Sequence, residues 1–259
     1  MLNRKPHIVA FIQGRMSSSR LPGKVLKDIH GQPMLGWVVK RARLAQSLDE
    51  VVVATTVATE DDPIQKFCET EGIAVFRGDP FDVLDRYYQA AKVFEADVVV
   101  RLTADCPLID PGIIDETVAA FFELNADFTA NRLPPPWRRT YPIGLDTEVC
   151  SFAALQKAWQ EADQPYQREH VMPYLYDEAG RFRVHVINHD PDYGHYRWTV
   201  DTAEDLTVVR QIIERLGGRT DFSWKDVLAL QEEAPDLFVV NASVKHKTMR
   251  DVDERLNRK

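Results

Sequence analysis

The chain has 259 residues, 44% hydrophobic, 28% charged and 10% aromatic, with 40 Asp and Glu against 32 Lys and Arg and a formal charge of -8. That length holds a sizeable core in one large domain or two small ones, and the composition excludes a disordered, collagen-like or coiled-coil chain. The acidic balance argues against nonspecific binding to DNA or to an anionic membrane, but leaves room for a local basic pocket that takes a small phosphorylated molecule.

The first apolar run, Ile8–Ile12, is too short for a signal peptide or a membrane helix. The three cysteines, Cys68, Cys106 and Cys150, are widely spaced and form no CxxC pair, which predicts a reducing, cytoplasmic setting without a disulfide framework or a zinc site. Further β-branched runs follow at Val51–Thr55, Ile73–Phe76 and Val98–Leu102. Helical patterns separate them at Met34–Gln46, Glu60–Glu71, Phe81–Phe94 and Pro111–Leu124. This alternation predicts βαβ units and an α/β fold with a mainly parallel central sheet flanked by helices. In such a sheet ligands gather at the carboxyl ends of the strands.

The pattern changes after residue 130. Leu133–Arg139 contains Pro134-Pro135-Pro136 and Trp137, so it predicts a loop or an extended, exposed arm suited to a dimer contact. Short strand-like pieces follow at Thr147–Cys150, Arg183–Ile187 and Arg197–Val200, with helices after Ser151 and over Ala203–Leu216. Ser223-Trp224-Lys225-Asp226 is a capping-box variant that opens another helix. The stretch from Asn241 to Lys259 holds six Lys and Arg against three Asp and Glu and reads as an exposed appendage.

The segment after the first strand, Gln13-Gly14-Arg15-Met16-Ser17-Ser18-Ser19-Arg20-Leu21-Pro22-Gly23-Lys24-Val25, carries the clearest chemistry. A phosphate site needs small residues for close backbone approach, amide donors and cations. Gly14, Ser17–Ser19 and Gly23 supply the first two, and Arg15, Arg20 and Lys24 the third. It is not a P-loop, because the glycines are too far apart and Val25 follows the lysine. Nor is it a dinucleotide fingerprint, because Gly14 stands alone.

Two aspartates follow strand-like runs. Asp105, in Arg101-Leu102-Thr103-Ala104-Asp105-Cys106-Pro107-Leu108, suits a Mg²⁺ ligand but equally a turn or helix cap. Asp201 suits the same metal, although Asp201 or Thr202 is also a good N-cap for the next helix. Thr55, Thr56 and Asp62 end the second strand and are placed on the nucleotide side. Asp82, Asp85 and Arg86 can contribute to a site or form helix-surface charge pairs. Asp146 and Glu148 occupy alternating positions that share one strand face.

The run Ile12–Leu26, with Gly31-Gln32-Pro33-Met34-Leu35 after it, resembles the N-terminal signature of the sugar cytidylyltransferases, among them the CMP-Kdo and CMP-sialic acid synthetases. The resemblance is nearest to the branch of spore-coat polysaccharide biosynthesis protein F. It continues through Val51–Thr56, Phe76-Arg77-Gly78, Asp82–Ala91, Arg101–Asp110, Gly144–Val149, Arg168–Pro173 and Trp198–Asp205, and covers about residues 7 to 238. It implies a Rossmann-like nucleotide-diphospho-sugar transferase (GT-A-like) fold. The domain would run over 1–240, with 130–195 as a less regular sugar-binding and dimerisation part and 241–259 as a basic tail.

The activity implied is transfer of CMP from CTP to a sugar, an acidic one, with Mg²⁺ as cofactor and a homodimer as the assembly. Neither nucleic acid nor membrane is implied as a partner. Carried over, Asp105 and Asp201 hold the metal and act in catalysis with Arg15 and Lys24. Gln13, Gly14, Arg15, Ser19, Arg20 and Lys24 meet the nucleotide, joined by Thr55, Arg77 and Asp85. Asp146, Glu148, Arg168, His170 and Arg197 fall to the sugar side, the last ahead of His195 and Tyr196 for an anionic substrate. Two rivals are a glycosyltransferase of the same sheet type using a nucleotide sugar, and a non-catalytic nucleotide-binding protein. The first usually carries Asp-x-Asp, where this chain has Asp105-Cys106-Pro107. The second predicts Asp105 and Asp201 on opposite faces.

Overall fold

Strands rich in Val and Ile bury both faces, so their side chains divide by alternation between two helical layers. The computed structural model describes residues 4–134 and 137–244. After β1 (Ile8–Gln13) come a 3-10 turn at Lys24–Leu26, a ribbon of β2 (Asp28–Ile29) and β3 (Gln32–Pro33), and α1 (Met34–Ala42). Then follow β4 (Glu50–Thr56), α2 (Asp62–Thr70), β5 (Ala74–Gly78), α3 (Val83–Val93), β6 (Val98–Thr103) and α4 (Pro111–Glu123). The second half brings β7 (Phe128–Ala130), β8 (Glu148–Ser151), α5 (Phe152–Glu161), α6 (Pro165–His170) and α7 (Pro173–Tyr176). It closes with β9 (Val184–Val186), α8 (Ala203–Arg215), α9 (Trp224–Glu233) and α10 (Pro235–Val239).

The central sheet has seven strands in the order β5-β4-β1-β6-β8-β7-β9. β5, β4, β1 and β6 are mutually parallel, and β9 is parallel to β7. Among the described strands β8 alone runs the other way, between β6 and β7. The expected α/β architecture is present. On β1, Ala10 and Ile12 face a core shared with α1, α2 and α4, while Val9 and Phe11 face one shared with α3, α5 and α7. Each fully buried Val or Ile contributes about 1.5–3 kcal/mol to this packing.

A third core lies outside the sheet and joins Trp37 and Leu108 to Tyr141, Trp198, Val200 and the buried faces of α8 and α9. Arg41 fastens this layer to the rest. Its guanidinium lies 3.6 Å from the Phe222 ring centroid and donates to the carbonyls of Ile109, Thr220 and Phe222 at 2.7, 2.6 and 3.0 Å. Burial pushes its pKa down to about 10, against the pull of Asp110. The position of this layer decides where Asp201 sits.

Several boundaries differ from expectation. α1 stops at Ala42 rather than Gln46, because the Asp115 carboxylate accepts the amides of Gln46 and Ser47 at 3.0 and 2.8 Å and turns the chain. Arg197–Val200 makes only a single bridge, Ile143 to Arg197, instead of a strand. There Gly144, at φ +110°, runs so close that a Cβ would lie 2.7 Å from both the Trp198 carbonyl carbon and the Thr199 nitrogen. Trp198 and Val200 spend their amides on Ile143 and Asp105 instead of a ladder. β7 has three residues and shows no periodicity in the sequence.

In the Leu133–Arg139 arm, Trp137 and Arg138 are exposed, and nothing in the structure tests a dimer contact there. Leu133 is buried, and Trp137 meets the Tyr176 ring edge-on at 5.7 Å. Pro135, Pro136 and the basic stretch 245–259 lie outside the described residues. Among the described residues no helix is long and apolar enough to cross a membrane.

Candidate active site

The first loop leaves β1 at Gly14, where a side chain would crowd the sheet: a Cβ would lie 3.0 Å from that of Ala104. The Met16 amide donates to Asp61 Oδ1 at 2.7 Å, and the Thr56 hydroxyl donates to Oδ2. Asp61 is fully buried and anchors the loop to the end of β4. Sequence reasoning missed it, because nothing separates it from its exposed neighbours Glu60 and Asp62. Gly23, at φ +67°, then folds the loop back so that its amide reaches the Met16 carbonyl at 2.8 Å. The turn sends the next side chain, Lys24, inward.

Lys24 is 8% exposed, and its ammonium meets three acceptors. They are Asp105 Oδ2 at 2.7 Å, the Val200 carbonyl at 2.8 Å and Asp201 Oδ1 at 3.0 Å. The two acids, 96 residues apart by number, thus share one cation beside the first loop rather than lying on opposite faces. Main-chain contacts fix this approach. The Val200 amide donates to the Asp105 carbonyl at 2.8 Å, and the Thr199 hydroxyl reaches the same oxygen at 3.0 Å. Burial favours neutral Lys24, yet Asp105 and Asp201 override it and hold its pKa above the usual lysine value.

Three cations meet the Asp201 carboxylate: Lys24, Arg20 at 2.9 Å and Arg197 at 2.8 Å. The capping alternative for this residue resolves onto its neighbour. Thr202 accepts the Asp205 amide and Asp205 accepts the Thr202 amide, a complete capping box that leaves the Asp201 side chain for the site. Burial alone would raise the Asp201 pKa, but Lys24, Arg197 and Arg20 bring it well below the usual carboxylate range. The stability this contributes is present above the unfolded value of 3.8 and is lost as pH falls through the depressed folded value. Acid unfolding followed by circular dichroism is therefore expected to show Asp201→Asn and wild type converging below about pH 4. A gap that persists unchanged into stronger acid contradicts this.

Other predicted residues fall into neighbouring groups. Gln13 accepts from Arg101 at 3.3 Å, and Arg101 also pairs with Glu148 across β6 and β8. Burial opposes the Arg101 charge, but Glu148 outweighs it and raises the pKa. Asp146 takes both guanidinium nitrogens of Arg139 at 2.5 and 3.0 Å, and Arg132 at 3.2 Å. Neither arginine was singled out in the sequence, because nothing in the arm's spacing ties it to Asp146. Arg197, expected at an anionic substrate, is spent on Asp201 and Asp205.

A further set braces the ends of β4 and β5. Arg77 donates to the carbonyls of Thr56 and Ala58 at 2.7 and 2.8 Å and to Gln65 at 2.5 Å, and pairs with Asp62 at 2.7 Å. Thr55 is fully buried, and its hydroxyl has no hydrogen-bond partner among the described residues. Asp82 caps α3 and pairs with Arg168, while Asp85 accepts the Trp159 indole at 2.8 Å. Arg86 forms no surface charge pair. It is 1% exposed and donates to the Asp79 carbonyl at 3.1 and 2.6 Å. Burial, and then Arg15 against the pull of Tyr87, pushes its pKa down to about 10. Ser19 is exposed on the first loop, and His170 closes α6.

A cytidylyltransferase family model matches residues 9–231. The chain belongs to this family. It is accordingly a CTP-dependent nucleotidyltransferase, and the glycosyltransferase and non-catalytic alternatives fall away. This cytidylyltransferase is 31% identical over 237 residues to spore coat polysaccharide biosynthesis protein SpsF of Bacillus subtilis, covering 88% of this chain and 95% of the relative. It is 36% identical over 243 residues to a 3-deoxy-manno-octulosonate cytidylyltransferase of Anaeromyxobacter dehalogenans, covering 80% and 98%. Among solved structures, a cytidylyltransferase from Leptospira borgpetersenii matches with a TM-score of 0.86 and 32% identity, over 93% of this chain and all of the other.

Proposed function

We propose that this cytidylyltransferase activates an acidic sugar as its CMP derivative, with Asp105 and Asp201 holding Mg²⁺. The observation that carries the reading is the convergence of Asp105 Oδ2 and Asp201 Oδ1 on one ammonium, at 2.7 and 3.0 Å, below a loop bearing Arg15 and Arg20. Mg²⁺ commonly takes one or two carboxylates and completes its shell with substrate phosphates and water, and this donor set fits that habit. Among the described residues no group of three or more His, Cys, Asp or Glu is disposed around a metal.

In this reading a sugar hydroxyl oxygen attacks the α-phosphorus of CTP in line, the bond to the β-phosphate oxygen breaks, and pyrophosphate leaves. Arg15, Arg20 and Lys24 place positive charge along the triphosphate, where negative charge builds on the departing group. Bound Mg²⁺ would supply Lewis-acid stabilisation of the phosphoryl oxygens. Asp146 and Glu148, oriented by Arg139, Arg132 and Arg101, lie on the sugar side. The name of one relative, a 3-deoxy-manno-octulosonate cytidylyltransferase, supports an acidic sugar acceptor, and that of the other, a spore coat polysaccharide biosynthesis protein, supports a role in making a polysaccharide.

The test is pyrophosphate release from the purified protein with each of four nucleoside triphosphates against a panel of acidic sugars and other phosphoryl acceptors. Release confined to CTP with an acidic sugar is the expected result. Equal release with neutral sugars, or with phosphorylated acceptors alone, overturns the acceptor assignment.

A further inference from the structure

The Asp201 side chain is held from behind by a buried relay that ends outside the segment resembling the sugar cytidylyltransferases. Arg197 donates through Nη2 to Asp201 Oδ2 at 2.8 Å, and through Nε and Nη2 to Asp205 at 2.9 and 2.8 Å. Asp205 is 0% exposed and also accepts the Asp201 amide at 2.9 Å. It therefore grips both the backbone of Asp201 and the arginine that orients its carboxylate. Besides the Thr202 amide, a further contact comes from Asn241, just beyond α10. Its side-chain amide donates to Asp205 Oδ1 at 2.9 Å and to the Arg197 carbonyl at 3.3 Å.

Asn241 is 4% exposed, although its place at the start of a polar, basic stretch suggests a solvated residue. A carboxylate buried this deeply is oriented by the donors around it, and losing one lets it shift toward those that remain. With Asn241 in place, Asp205 Oδ1 is shared between Asn241 and Arg197 Nε, and the guanidinium spans both acids.

We infer that Asn241 is a positioning residue that sets the orientation of Asp201, and thereby couples the segment just beyond α10 to metal and nucleotide binding. It touches neither ligand; it acts through Asp205 and Arg197. The inference rests on the assignment of Asp201 to the divalent cation, and its test separates the two.

The readout is the ratio of CTP dissociation constants measured calorimetrically without and with saturating Mn²⁺, in the full-length protein and with no sugar acceptor present. This ratio measures the coupling between metal and nucleotide and involves no turnover. Asn241→Leu, of similar volume but with no donor, is expected to reduce the ratio about tenfold, as outer-shell changes at metal sites do. Asn241→Asp is expected to reduce it further, because a second carboxylate beside Asp205 competes for Arg197. Asp201→Asn is the control and should bring the ratio close to one.

A wild-type ratio in Asp201→Asn overturns the metal assignment itself. A collapsed ratio in Asp201→Asn with a wild-type ratio in folded Asn241→Leu overturns the positioning role alone. Should the leucine variant fail to fold, Asn241→Ser takes its place with the same expected direction. A fall in thermal midpoint with an unchanged ratio identifies a purely structural residue and likewise overturns the inference.

Discussion

Replacing Lys24 by methionine is expected to lower the rate of pyrophosphate release by about 10²–10³-fold, the usual cost of deleting one preorganised charge at a reacting centre. Methionine keeps most of the buried stem but removes an ammonium whose three protons go to Asp105, Val200 and Asp201. Without that charge two carboxylates face each other across a partly buried gap. Asp201 still has Arg20 and Arg197, so the fold should survive. Lys24→Arg should rescue poorly, because a planar fork cannot reach three acceptors arranged around a point. Steady-state pyrophosphate release and a melting curve on each variant check this. Turnover within a few-fold of wild type would remove Lys24 from the chemistry.

The second large effect is on stability. Asp205→Ala should cost about 3–5 kcal/mol, the range for breaking a buried ion pair by removing one partner. Its two carboxylate oxygens satisfy the Arg197 guanidinium, the amides of Asp201 and Thr202 and the side chain of Asn241. The alanine variant removes two of the contacts of a guanidinium whose side chain is 8% exposed, leaving it on Asp201, and opens the first turn of α8. For a protein of ordinary stability, about 5–15 kcal/mol, that is a substantial fraction. Asp205→Asn should cost less, since it keeps the shape and part of the hydrogen bonding. Urea unfolding measures both, and a loss under about 1 kcal/mol for the alanine would show that the relay carries little of the fold's stability.

The parallel sheet is legible in the sequence because strands buried on both faces are rich in Val and Ile, as β1, β4 and β6 are, while the half-buried β5 shows only a short apolar run. The loop after β1 is legible for a related reason: only a few residue types tolerate the close approach at Gly14 and the turn at Gly23. Less local features are hidden. Arg86 lies on a helix with acidic neighbours and so reads as a surface residue, yet it is buried because the Asp79 and Pro80 carbonyls happen to converge on it. Asp201 and Thr202 are equally good caps on paper, and only the placement of the Trp198 layer decides between them. Arg139 finds Asp146 across a loop whose path depends on Gly194, where a Cβ would lie 2.2 Å from the Arg139 carbonyl oxygen. Contacts of this kind have no periodicity to announce them.

The main-chain bond from Val200 to Asp105 has a mechanical consequence. It ties the two acids into one rigid floor, although one comes from the sheet and the other from the outer layer that Arg41 clamps in place. Their spacing therefore does not depend on a hinge between halves of the molecule. In the proposed reading, any accommodation to an incoming triphosphate would fall to the loop between Gly14 and Gly23, which carries Arg15 and Arg20, while Lys24 just after it is held on the floor by both acids. The anionic half of the site is built as an anvil, and adjustment is left to the loop.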